Sequence, residues 1–216
     1  MALRILPFRQ YSDHDVVNLY SVIDSDVNDQ TTDAGAGDAG LFVKVSAGNF
    51  DADPVTYQNR SYLGKTDYPF IGNEAMYPEV NLKITGSTSG DIPLGLTLYQ
   101  TAKKDENDEK LLYHPQKAAE LQAMLPGQAV PVLTKGIVTL AQAAFEGPAN
   151  TYTPGNGIVM SEDTAGKISG LARPSSHDAT GNWIFGHVLG TGTRSNVGIT
   201  TDQFSGDYIV ISFDCA

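Results

Sequence analysis

The feature that most limits what this chain can fold into is a succession of short apolar runs, each closed by a turn residue. From residue 41 onward these runs are LFVKVSAG, VTYQNRSYLG, VNLKITG, IPLGLTLYQT, AVPVLTKGIVTLA, GIVMSED, GKISGLA, NWIFGHVLGTG and DYIVISFDC. They are rich in Val, Ile, Thr and aromatic residues, which fit a pleated, half-buried surface better than a helix. Gly, Pro, Asn or Asp bound them and supply the backbone geometries that turns need. Strands this short bury a core only by stacking two sheets or by closing one sheet on itself. The expected fold is all-β, mainly an antiparallel β-barrel or sandwich. Gly136 in VLTKGIVTL and Gly186 in WIFGHVLG lie inside strand patterns. Interior glycines of this kind mark bulges or the sharp bends of barrel corners.

One segment departs from the pattern. Residues 115–125, PQKAAELQAML, begin with Pro115 and stop at Pro126-Gly127, with Ala118, Leu121 and Leu125 on one stripe. This predicts one short helix, plugging a barrel end or packing on a sheet face. Just before it, KKDENDEK is charged and reads as a solvent-exposed hairpin tip or loop.

The first 40 residues read differently. Residues 1–11 alternate apolar and polar character around Pro7 and carry Arg4, Phe8, Arg9 and Tyr11. Two readings stand side by side: a docking arm laid on a neighbouring subunit, or an edge strand of the chain's own sheet. Residues 12–23 open with Ser12 and Asp15 at capping-box spacing but contain Val16-Val17 and Val22-Ile23, so either a short helix or a strand fits. Residues 24–40, DSDVNDQTTDAGAGDAG, are acidic and Gly-rich and predict a surface loop or hinge. The expected organisation is an extended N-terminal arm over 1–23, an acidic loop over 24–40 and a β-rich body over 41–216.

Charge and composition exclude several functions. Formal net charge is −11. Nucleic-acid binding needs clustered cations that displace counterions from phosphates, and the Lys and Arg residues are scattered. Neither nucleic acid nor an anionic membrane is an expected partner. No stretch approaches the roughly 20 apolar residues of a membrane span. The opening MALRILPFRQYSDHD lacks a signal-peptide apolar core, so synthesis in a cytosol is expected. A single cysteine, Cys215, excludes an internal disulfide.

Catalytic and metal motifs fail at decisive positions. His14, His114, His177 and His187 lie in separate segments without metal-ligand spacing. Ser175, Ser176, His177 and Asp178 are adjacent, whereas a catalytic triad is assembled from separate elements. Asp24, Asp26 and Asn28 match the first ligands of an EF-hand loop, but Asp29 stands where Gly makes the turn and Gly35 where a bidentate Glu belongs. A looser Ca²⁺ site there stays open. Gly64-Lys65-Thr66 lacks the earlier glycine of a P-loop, and Asn59-Arg60-Ser61 is a sequon without a secretory signal. No enzyme activity and no cofactor are expected. A platform of Tyr152, Trp183 and Phe185 would suit a carbohydrate-binding module, although such residues also build cores.

Four ordered segments carry a family resemblance. They are LPFRQYSDHDVVNLYS followed by AGLFVKVSAGN, SGDIPLGLTLYQT, PGQAVPVLTKGIVTL, and GNGIVMSEDTAGKISG with IFGHVLGTG. Together they cover 80 of the 216 residues. In this order the segments resemble capsid decoration (cement) proteins of tailed bacteriophages, of the marine T4-like and cyanophage type. The resemblance implies a virion protein on the capsid exterior, bound to the major capsid protein as a homo-oligomer. A trimer is favoured over a dimer because shells offer three-fold junctions. On the arm reading, Arg4, Phe8, Arg9 and Tyr11 would contact the capsid. Alternatives are another phage structural module, such as a tail or head fibre, or a carbohydrate-binding module.

Overall fold

The computed structural model describes residues 4–27, 37–47, 55–56, 79–80, 82–105, 107–170, 182–195 and 205–215. In chain order the strands are β1 (Ile5–Gln10), β2 (Val16–Val17), β3 (Ser21–Val22), β4 (Phe42–Ala47), β5 (Val55–Thr56), β6 (Glu79–Val80), β7 (Lys83–Gly86) and β8 (Gly95–Thr97). They continue as β9 (Gln100–Thr101), β10 (Ala123–Met124), β11 (Val132–Leu133), β12 (Lys135–Ala141), β13 (Gly157–Met160), β14 (Ile168–Gly170), β15 (Gly186–Arg194) and β16 (Gly206–Asp214). One α-helix, α1 (Pro115–Glu120), interrupts them.

Two six-stranded sheets stack as a sandwich, not as a closed barrel. The first runs β1-β12-β16-β15-β13-β14 and is antiparallel throughout. The second runs β2-β11-β8-β4-β7-β3, antiparallel except between β3 and β7. Between them Phe42, Leu96 and Leu133 of the second sheet meet Val138, Leu140, Ile209, Ile211 and Phe213 of the first. Phe42 stands edge-on to Phe185 and Phe213, at 4.9 and 5.1 Å between ring centroids. This is the offset geometry that aromatic quadrupoles favour.

Burial explains the two kinds of strand pattern. In β16, Ile209, Ile211 and Phe213 are buried while Tyr208, Val210 and Ser212 between them are half-exposed. One face meets the core and the other meets water. In the second sheet, the neighbours Phe42 and Val43 are both fully buried, as are Val132 and Leu133. Neighbours on a strand point to opposite faces, so this sheet is covered on both sides. Its second face has its own core of Val22, Val27, Val43, Ile84, Val130 and Val132.

The N-terminal segment belongs to both sheets. β1 borders the first sheet against β12, and β2 borders the second against β11. Two adjacent segments, 10–16 and 133–136, therefore cross between the sheets at the same end. Of the two readings of residues 1–11, the edge strand is the one observed for the described residues 4–11, so 4–23 pack as part of the body instead of a projecting arm. Residues 12–23 contain one 3₁₀ turn, Asp13–Asp15, and two short strands. Ser12 Oγ accepts from the His14 N–H, but the chain turns extended at Val16 before a helix develops.

Gly136 sits just past this crossing, yet its backbone is ordinary strand paired with Phe213. The reason for glycine is proximity: a Cβ there would lie 2.9 Å from Tyr11 Cβ and 3.1 Å from the Gln10 carbonyl. The helix is shorter than its apolar stripe predicts. Gln122 takes a positive φ of 49°, and the chain leaves the helix to form β10 beside β9. Ala118 and Leu125 pack with Ala102 and Leu111 in a small satellite core. The charged segment before α1 forms the expected hairpin tip, with Lys104 bridging Lys110.

Candidate functional site

The expected contact residues separate on folding. Arg4 is 6% exposed and forms an ion pair with Asp38, while its Nε donates to the Ala143 carbonyl at 3.2 Å. It is consumed inside the body, which removes it as a surface contact. Asp38 ties part of the 24–40 segment to β1, and Asp26 accepts from Thr85 Oγ1 at 2.5 Å. The described parts of this stretch are thus fastened to the body and do not form a free hinge. Asn28, the next EF-hand position, lies outside the described residues.

Phe8, Arg9 and Tyr11 do come together on and just after β1. Phe8 is 71% exposed. Arg9 stacks over the Tyr11 ring at 5.9 Å, near the outer limit for a cation–π contact. The Tyr11 side chain packs against the sandwich core and forms a ridge between two hollows. One, of about 520 Å³, lies toward Val16, Leu98, Tyr99 and Met124. The other, an open cleft of about 710 Å³, lies across the end of the first sheet.

The register of the sheet builds this cleft. Gln10, Ile137, Ser212 and His187 pair in one row across β1, β12, β16 and β15, and all four line it. Their shared face is the one opposite Val138, Ile211 and Val188. Two residues along β12 and β16 from this row, Lys135 and Asp214 form an ion pair on the same face at 2.6 Å. The Asp214 carboxylate holds the Lys135 ammonium above its ordinary value, so that cation stays charged. Ser12 and Asp15 complete the wall beside Tyr11. Next to the cleft, burial and then the Asp214 charge push the Cys215 thiol up to about 12. A thiol in that state is a poor nucleophile at neutral pH. The arrangement offers an amide, hydroxyls, an imidazole, an aromatic face, the Lys135–Asp214 ion pair and the further carboxylate of Asp15.

Other expected sites dissolve into structure. Tyr152 is buried, edge-on to Phe145, and its hydroxyl donates to the Glu146 and Ile168 carbonyls. Phe185 is buried against Phe42, and Trp183 tilts on Phe185 with centroids 6.2 Å apart. Tyr152 and Phe185 are core and Trp183 is partly buried against it, so the three rings make no platform. Among the described residues no three His, Cys, Asp or Glu side chains converge as metal ligands. Residues 59–66 and 175–178 lie outside the described residues. Sequence reasoning missed Lys135, His187, Ser212 and Asp214. The alternation of β16 hinted at Ser212, but only the strand register brings the four together.

Comparison with known protein families, with curated proteins and with solved structures found no match.

Proposed function

We propose that this chain is a structural virion protein that binds the outside of a tailed-phage capsid and stabilises contacts between major capsid protein subunits. The observation that carries the reading is the group at the crossing end of the sandwich. There an exposed Phe8 and the Arg9–Tyr11 stack adjoin, through Gln10 and Tyr11, a cleft lined by both polar and charged groups. Aromatic and arginine side chains on a pre-ordered scaffold are the chemistry of interface anchors. Repetition over a shell multiplies modest contacts into firm attachment. The net charge of −11 keeps free copies soluble and away from packaged nucleic acid. The ordered segments that resemble cement proteins point to the same role.

The test is an electron-cryomicroscopy reconstruction of shells with and without the protein. Extra density on the outer surface, lost with the double variant Phe8→Ala and Arg9→Ala, is the expected result. Shells that bind no protein would sink the proposal. A second reading, a carbohydrate-binding module, draws on the hydroxyls, imidazole and Tyr11 ring around the cleft. Retention on a polysaccharide resin, abolished by Tyr11→Ala, would favour it.

A further inference from the structure

We infer that two copies of this chain associate by antiparallel pairing of the distal half of β15, Leu189–Arg194. β13 reaches only the start of β15, pairing at Gly186 and His187. One residue on, the Val188 N–H donates to the Asn156 carbonyl at 2.9 Å, and the Val188 carbonyl accepts from Gly155 N–H at 2.8 Å. Beyond Val188, among the described residues, the β15 backbone pairs with β16 alone. Val188 opposite Ile211 turns its backbone groups away from β16. Ile209 and Asp207 follow at alternate positions, so Thr191 and Thr193, which oppose them, turn theirs to the open side as well.

Open sheet edges are ordinarily guarded by lysine, proline, a bulge or a covering element. Residues 189–194, LGTGTR, contain no proline, lysine or carboxylate, and the one irregularity, at Leu189, lies ahead of the Gly190–Arg194 stretch that would pair. In a chain of net charge −11 this strip holds one charge, the positive Arg194. Copies that repel one another elsewhere meet least resistance here.

The strip is also self-complementary. With Gly192 on a two-fold axis, Thr191 faces the partner's Thr193 and Thr193 faces the partner's Thr191, giving about four backbone hydrogen bonds. Arg194 then lies across the partner's Gly190, where a Cβ would have nothing within 4 Å. The Tyr208 ring already covers Gly192 and stacks under Arg194 at 5.5 Å, which stiffens that side of the ribbon. The pairing is two-fold, unlike the trimer favoured from shell symmetry, and it does not depend on the capsid reading.

Sedimentation of the full chain from about 1 to about 200 μM tests this. A concentration-dependent dimer is expected, tightening as added salt screens the acidic surfaces. Thr191→Pro removes an outward N–H without touching a β16 bond. Gly190→Lys fills open space in the monomer but sets a lysine against the partner's Arg194. Each is expected to weaken the dimer by about tenfold or more. If Thr191→Pro fails to fold, Gly190→Lys alone decides. A wild-type chain that stays monomeric throughout overturns the inference, as does an oligomer that Gly190→Lys leaves unchanged. A dimer abolished by Gly190→Lys supports it.

Discussion

Two borders in the first sheet, its end strand β1 and the outer half of β15 past the reach of β13, make opposite uses of the same backbone chemistry. At one border β1 lies on β12 with an irregularity between Ile5 and Arg9; it carries Pro7 and Arg9, and Arg4 just before it is buried in an ion pair. At the other, the outer half of β15 has its own irregularity at Leu189, but from Gly190 to Arg194 it is a Gly/Thr ribbon in unbroken register with β16 whose other side meets no described strand. Proline discourages a further strand; threonine and bare glycine invite one. The first border closes the domain, and the second offers it for association. Closure at β1 predicts that the N-terminal residues are not removable as a separable arm.

The largest effect is expected from deleting residues 1–11. This removes the β1–β12 pairing, the buried Leu6 and Arg4, and it bares the edge of β12. The truncated chain is expected to lose its cooperative thermal transition or to aggregate, as followed by circular dichroism and light scattering. A truncated chain with an unchanged melting curve would restore the arm.

Arg4→Ala is a narrower cut at the same border. It leaves Asp38 buried without its cation, at a cost of about 3–5 kcal/mol, read from urea unfolding. Gly136→Val puts a branched side chain where Tyr11 already approaches. The strain is expected to cost about 2 kcal/mol and lower the melting temperature by about 5 °C. An unchanged melting temperature would mean that β1 can shift freely, against the closed border.

Acid should act through carboxylates that folding has paired, among them two in loops. Lys117 first, then the Glu109 and Asn107 amides, outweigh burial and hold the Asp105 carboxyl below its ordinary 3.8. At Asp91 burial pushes upward, but Lys44 and Thr88 prevail and the carboxyl is again lowered. A carboxyl depressed by folding contributes stability that is present above its unfolded value and lost as pH falls through its folded one. Unfolding free energy measured against pH should therefore decline below 3.8, with Asp105→Asn flattening that decline. The smallest effect belongs to the open border, where Thr191→Pro should change monomer stability by less than about 0.5 kcal/mol.

Much of this architecture was legible in the chain. Alternation in DYIVISFDC marks a strand with one wet face, and the turn residues between runs mark strand ends. The stretch LFV, buried on both faces, carries no such alternation, so its place in a doubly covered sheet could not be read. The helix stopped early because Gln122 adopts a left-handed conformation, which no local composition announces. The site was harder. Phe8, Arg9 and Tyr11 stood out by type, but Arg4 looked the same as Arg9 until its pairing with Asp38 was seen. Gln10, Ile137, Ser212 and His187 are far apart along the chain and share a row only through register.

The most direct test of the contrast between the borders is amide hydrogen exchange on the intact chain at two concentrations. The β1 amides bonded to β12 should be protected at both. The Thr191 and Thr193 amides should exchange freely when the protein is dilute and slow as it is concentrated. Rapid exchange along β1, together with Thr191 and Thr193 already protected in dilute solution, would contradict the account.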